Sequence, residues 1–210
     1  MSVKVKLIEK SIRNHPVFSN VSFDVEDGGV LLIDGDTKSR DILFNILSGT
    51  DKVSGGSITI SGYDIDDMGG HEKQKFFRNT VSCLRGYFLQ SNLTIKDNIA
   101  LPSFFSGIGK RERETRIESI AKKFDIVDIL KIKPTKISDD MRERVCLART
   151  LLMNPKVILA TEPSEWTTEV LLRYIEAKNA VLIISSNNPN LRKYTADIIT
   201  ISSKEKNENF

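Results

Sequence analysis

The chain has 210 residues, of which 40% are apolar and 28% charged, with 31 Lys and Arg against 28 Asp and Glu and a formal charge of +3. That length suits one large domain, or one domain with an insertion, and a core of this size needs neither disulfides nor a structural metal. A slight positive balance spread along the chain gives no basis for binding nucleic acid or an anionic membrane.

In chain order, Val3, Val5 and Leu7 alternate with Lys4 and Lys6, and Val21, Phe23 and Val25 alternate with Ser22 and Asp24. Ile58 and Ile60 continue the pattern after Gly55-Gly56. Period two with one polar face predicts a half-exposed antiparallel sheet near the N-terminus. Val30–Ile33, Val157–Ala160, Ala180–Ile184 and Ile198–Ile201 are unbroken apolar runs, as expected of central parallel strands covered on both faces. Between them lie helical faces: Ile42, Leu43, Ile46 and Leu47; Ile117, Ile120, Ala121 and Phe124; Val145, Ala148 and Leu152. Strands alternating with helices predict an α/β fold with a mainly parallel sheet. The stretch 86–134 reads as a helical insertion, with Phe104 and Phe105 in its core, and the polar tail 203–210 reads as frayed.

Cys83 and Cys146 lie far apart in apolar stretches and read as two buried thiols, neither a disulfide nor a metal-ligand cluster. His15 and His71 read as solvated loop residues, and Lys110–Arg116 as a solvated helix face. The first ten residues lack the apolar core of a signal peptide. The longest purely apolar run, Ala180–Ile184, is too short to span a bilayer. These features predict a soluble, cytoplasmic chain.

Chemistry in α/β sheets gathers beyond the carboxyl ends of the strands, where loops meet helix N-termini. The first such place runs from Val30-Leu-Leu-Ile through Asp34-Gly-Asp-Thr-Lys-Ser-Arg-Asp41 into a helix over 42–48. Phosphate-binding loops occupy this position and need glycines for wrapping, a lysine, and a hydroxyl for magnesium. The run VSFDVEDGGVLLIDGDTKSRDILFNILSGTDKVSGGSITISGYDI resembles the opening of an ABC-transporter ATPase domain. NLTIKDNIALPSFFSGIGKRERETRIESIAKKFDIVDIL resembles its helical subdomain, nearest to the lipoprotein-release, macrolide-export and cell-division branch. ISDDMRERVCLARTLLMNPKVILATEPS resembles the signature helix and Walker B strand, and AVLIISSNNPNLRKYTADIITI the last core strands. The resemblance implies an ABC-ATPase-like (P-loop NTPase) fold over 1–210, with core 1–85 and 135–202, an N-terminal antiparallel β subdomain, and a helical subdomain at about 86–134.

The departures fall on the chemistry. Asp34, Thr37 and Ser39 stand at glycine positions of the loop, Arg40 at its lysine and Asp41 at its magnesium-binding hydroxyl. Ile12 replaces the ring that stacks on adenine, and Arg85 the glutamine that senses magnesium and the attacking water. Ile137-Ser138-Asp139-Asp140-Met141 replaces Leu-Ser-Gly-Gly-Gln. Thr161 replaces the Walker B aspartate, Thr168 the D-loop aspartate, and Asn187 the switch histidine. Glu162, at the general-base position, survives.

Three carboxylates, from Asp34, Asp36 and Asp41, are expected to repel a triphosphate. One like-charge pair at about 4 Å costs on the order of 4 kcal/mol at an effective dielectric near 20, against about 8 kcal/mol for micromolar affinity. Lys38 and Arg40 compensate in part, but a planar guanidinium does not simply replace an ammonium. A Cβ at the glycine positions obstructs wrapping. Asp139 and Asp140 read as caps of the signature helix. Glu162 without a metal or charge stabiliser reads as a carboxylate holding the turn after its strand. Trp166 marks either a partner interface or burial against its own subunit.

The resemblance therefore implies a subunit without hydrolysis of its own, a scaffold or regulator in a membrane-associated complex, with no cofactor and no metal site. The alternative is an ABC transporter ATPase subunit that binds Mg-ATP through a degenerate loop (Lys38, Ser39, Arg40, Asp41) beside a competent partner. A further alternative is an anion- or metabolite-sensing module using Lys38 and Arg40. In the resembled branch a membrane permease inserts a short helix between core and helical subdomain. This implies a partner surface at Arg85, Phe88 and Leu89 running into Asn92-Leu-Thr-Ile-Lys-Asp-Asn98. A homo- or heterodimer with another such chain is also implied, with the complex at the inner face of the cell membrane.

Overall fold

The computed structural model describes residues 2–203. The elements are, in chain order, β1 (Val3–Ile12), β2 (His15–Val25), β3 (Val30–Gly35), α1 (Thr37–Leu47), β4 (Gly55–Ile60), β5 (Tyr63–Asp64), α2 (Gly70–Thr80) and β6 (Val81–Arg85). They continue with α3 (Ile95–Ala100), α4 (Lys110–Lys123), α5 (Asp139–Leu151), β7 (Val157–Thr161), α6 (Glu165–Lys178), β8 (Val181–Ser185) and β9 (Ile198–Ile201). An antiparallel sheet has the order β2-β1-β4-β5 and a parallel sheet the order β6-β7-β8-β3-β9. This is an α/β architecture with a parallel core sheet and an N-terminal antiparallel sheet, as the sequence predicts.

The parallel sheet is buried on both faces because alternate residues of its strands feed two cores. Leu32, Ile158, Ala160, Leu182 and Ile184 face one core with α5 and α6, which contribute Leu147, Leu171 and Ile175. Leu31, Ile33, Leu159, Val181 and Ile183 face the other, with Leu43 and Leu47 of α1 and the antiparallel sheet. In α5 four consecutive residues, Val145 to Ala148, are fully buried. This part of the helix is enclosed because the sheet packs on one side and α3 and α4 on the other, whereas the first turns, with Asp139, Asp140, Arg142, Glu143 and Arg144, are charged.

Several expectations change. Val3 and Val5 point inward, paired with Val25 and Phe23 on β2 and with Ile60 and Ile58 on β4. The alternation then breaks at a bulge. Leu7 takes φ 48° and lies exposed, while Ile8 fills the interior position. An inserted residue shifts every later side chain to the other face. Gly56, at φ +84°, makes this possible, since a Cβ there would lie 2.5 Å from Leu7 O. Ile198–Ile201 forms β9 at an edge of the parallel sheet, beside β3, so it is not a central strand. The other edge, β6, is a strand that the apolar-run criterion passes over. Phe104 and Phe105, expected in a core, are exposed in a 3-10 turn at Leu101–Phe105, because Ile95, Ile99, Ile117 and Ala121 already fill the helical interior. Cys146 is buried but Cys83, on edge strand β6, is exposed. His15 and His71 are solvent-exposed on β2 and α2, not on loops. Most of the tail expected to fray, 204–210, lies outside the described residues.

Gly35 closes β3 at φ +123°, and a Cβ on it would sit 1.7 Å from Ile201 O on β9. Gly35→Ala is therefore expected to lower unfolding free energy by about 2 kcal/mol or more. Gly70→Ala, with no atom within 4 Å of the new Cβ, should stay within about 0.5 kcal/mol. Urea denaturation followed by circular dichroism checks both.

Candidate functional site

The strand end of β3 is joined to α1 by Asp36 alone. Thr37, Lys38 and Ser39, which a phosphate-wrapping loop would leave unwound, form the first helical turn instead. Asp36 is the N-cap: Ser39 N donates to its Oδ1 at 2.9 Å, and Ser203 N donates to its Oδ2 at 2.7 Å. A carboxylate of the chain itself thus takes the place at the helix N-terminus that suits an external anion. Burial raises the Asp36 pKa, but the Ser39 and Ser203 amides and the Lys38 charge outweigh it and hold the carboxyl below its ordinary value. Gly35 N is also occupied, donating to Asp34 Oδ1 and to Asn187 Oδ1, the latter at 3.1 Å.

Arg40 does not reach into solvent for a phosphate. Its side chain is 4% exposed and bridges three strand ends. Nε donates to Gly35 O of β3 at 3.1 Å, and Nη1 donates to Glu162 Oε1 just past β7 at 2.8 Å and to Ser185 Oγ of β8 at 3.4 Å. Glu162 Oε2 accepts from Ser186 Oγ, so both carboxylate oxygens are engaged. Glu162 also takes φ 45°, a left-handed conformation costly for a residue with a Cβ. The structure thus brings Arg40 and Glu162 together, with Ser185 and Ser186 as partners that sequence reasoning missed. The polar end of the Ala180–Ile184 run was the available signal.

A second ion pair lies beside the first. Arg85, at the end of β6, donates from Nη2 to Asp41 Oδ1 at 2.9 Å and from Nη1 to Asn45 Oδ1 at 3.1 Å. Its guanidinium carbon lies 5.0 Å from the centre of the Phe44 ring. Asp34 pairs with Arg192. The expectation that Lys38 and Arg40 partly offset the three carboxylates is corrected in its partners: Asp34 and Asp41 carry the guanidinium groups of Arg192 and Arg85, and Asp36 carries two amides. What separates this place from an open anion site is occupancy by the chain's own groups rather than bare repulsion. Lys38 is exposed and Ser39 fully buried.

At α5 the N-cap is Ser138, whose Oγ accepts from Met141 N at 3.3 Å. The caps expected at Asp139 and Asp140 are first-turn residues instead, near Arg142 at 3.7 Å and Arg144 at 3.0 Å. Thr168 is buried and donates to Ser164 O. Trp166 sits in the first turn of α6 with Arg144 of the same chain 5.4 Å from its ring centre. Glu143 Oε1 on α5 accepts from Tyr87 OH at 2.8 Å and from Ser164 Oγ and Thr167 Oγ1, joining the segment after β6 to the start of α6. Phe88 is 65% exposed, whereas Leu89 is buried at 3%. Leu89 therefore lies beneath the surface that Phe88 presents. Phe88 O accepts from Arg149 Nη2 at 2.8 Å. Arg149 borders a groove of about 260 Å³ shared with Arg78, Cys83, Pro102 and Phe105.

The family model described as ABC transporter matches residues 18–165. An uncharacterized ABC transporter ATP-binding protein of Mycobacterium tuberculosis, Rv0986, is 26% identical over 195 residues, 88% of this chain and 79% of that protein. The lipoprotein-releasing system ATP-binding protein LolD of Leptospira interrogans is 26% identical over 92% of this chain and 85% of its own length. Among solved structures, the dimeric post-hydrolysis state of the ATP-binding cassette MJ0796 bound to ADP and Pi matches with a TM-score of 0.80. The identity is 23%, over 95% of this chain and 94% of that one.

The Asp36 cap has a measurable pH signature. Asp36→Ala should cost about 0.5–2 kcal/mol at neutral pH. A depressed pKa means that Asp36 stabilises fully above its unfolded value, near 3.8, and that the contribution is lost as pH falls through the lower folded value. The stability gap between wild type and variant should thus narrow only in acid, as chemical denaturation across a pH series would reveal.

Proposed function

The chain belongs to the ABC transporter family, and from that premise we propose that it is the ATP-binding-cassette subunit of a membrane transport complex, working beside a second cassette chain with a competent site. The observation that carries this reading is the likeness along most of the chain to proteins named as ATP-binding components. The relatives point toward export or lipoprotein release, since LolD and, at 26% identity, the Campylobacter jejuni macrolide export protein MacB stand among them. This chain spans 33% of that MacB protein, whose name includes a permease. Among the described residues no helix is long and apolar enough to cross a membrane, and we assign the crossing to a permease. It docks at Phe88 and the groove beside Phe105, and it holds the chain at the inner face of the membrane.

One observation favours a second reading, the scaffold without hydrolysis. Glu162 accepts from Arg40 and Ser186 on its two oxygens, which holds the carboxylate as a counter-charge at the strand ends. Asp36 meanwhile holds the helix N-terminus. In this reading the chain transmits its partner's cycle through contacts alone.

Isothermal titration of Mg-ATP into the purified chain separates the two. Micromolar binding, with turnover in the assembled complex, is expected of the first; a flat titration into the millimolar range is expected of the second. Recovery of the chain from membranes without a permease or second cassette chain would overturn both.

A further inference from the structure

The group the family implies is magnesium-bound ATP, and the residues at the end of β3 do not fit the metal. The magnesium-binding hydroxyl is replaced by Asp41, a carboxylate already bonded to Arg85 at 2.9 Å. Thr161 stands in place of the second anchoring aspartate. The glutamine that would face the metal is Arg85 itself. Arg85 and Asp41 are thus a reciprocal exchange at two contacting positions: an acid where the family has a hydroxyl, a cation where it has an amide.

We propose that Arg85 is a built-in replacement for the divalent cation, so that this chain neutralises Asp41 with a guanidinium and handles any nucleotide phosphate without magnesium. Three contacts on three faces hold the guanidinium in place: Asp41, Asn45 and the Phe44 ring. An isolated exposed ion pair is worth little, but a planar cation fixed by a ring and two acceptors is preorganised for one position. Arg85 occupies one oxygen of Asp41, so a divalent ion approaching the other would meet the guanidinium charge at close range. The pair also ties α1 to the end of β6. The nucleotide arm of this inference rests on the first reading above; the metal arm does not.

Two measurements on the full chain test it. In the first, Mn²⁺ is added to the ¹⁵N-labelled protein without nucleotide, and relaxation enhancement of the Asp41 amide is compared with that in Arg85→Gln, which frees the carboxylate. The variant is expected to show roughly fivefold or greater enhancement over wild type, because removing the fixed charge lets the ion approach. Equal enhancement, or strong enhancement in wild type that Asp41→Asn abolishes, would overturn the proposal. In the second, ATP is titrated in EDTA and in excess Mg²⁺. Affinities within about twofold are expected for wild type, and a tenfold gain with Mg²⁺, about 1.4 kcal/mol, would overturn the proposal. A flat titration in both buffers would sink the first functional reading alone, leaving the Mn²⁺ comparison to decide the inference.

Discussion

The arrangement of the strand ends depends on one buried charge. The Arg40 guanidinium cannot be left without partners in the interior, because an unpaired buried ion costs several kcal/mol. It therefore fixes the carbonyl end of β3, the turn after β7 and the last residue of β8 around itself. Glu162 is the counter-charge for Arg40, and removing it would strand a cation. The left-handed backbone at Glu162 is the conformation in which its carboxylate reaches that cation and Ser186 together.

The scaffold was legible in the sequence where burial is two-sided. Val30–Ile33, Val157–Ala160 and Ala180–Ile184 became β3, β7 and β8 because a strand with apolar residues on both faces has no alternative but an interior position. The same criterion misplaced Ile198–Ile201, since an edge strand at the end of a covered sheet is equally apolar. It passed over β6, whose Ser82, Cys83 and Arg85 interrupt the run. Leu7 was illegible for another reason. Its outward turn is imposed by a bulge, and the bulge depends on a backbone approach by Gly56 from a strand nearly fifty residues away.

At the site the sequence named the positions but not the pairings. Asp34, Asp36 and Asp41 read as negative charge offset only in part, by Lys38 and Arg40, because their actual partners come from distant segments: Arg192 follows β8, Arg85 ends β6, and the Ser203 amide follows β9. Which cation meets which anion is fixed by the order of the strands, and nothing in local spacing encodes it. The winding of Thr37 to Ser39 into α1 was closer to legible, since aspartate, as at Asp36, is a preferred helix N-cap. A core built on pattern can thus persist while a site built on particular atoms is rewired among its own residues.

Glu143 carries a last implication. One of its oxygens collects hydroxyls from Tyr87, Ser164 and Thr167, so the helical layer, the segment leaving β6 and the start of α6 converge on a single atom. Swivelling any one of these bodies would pull against the other two, which makes this oxygen a rivet and the junction stiff as a whole. A push applied at Phe88 would then cross the molecule as a rigid lever rather than fading in a hinge.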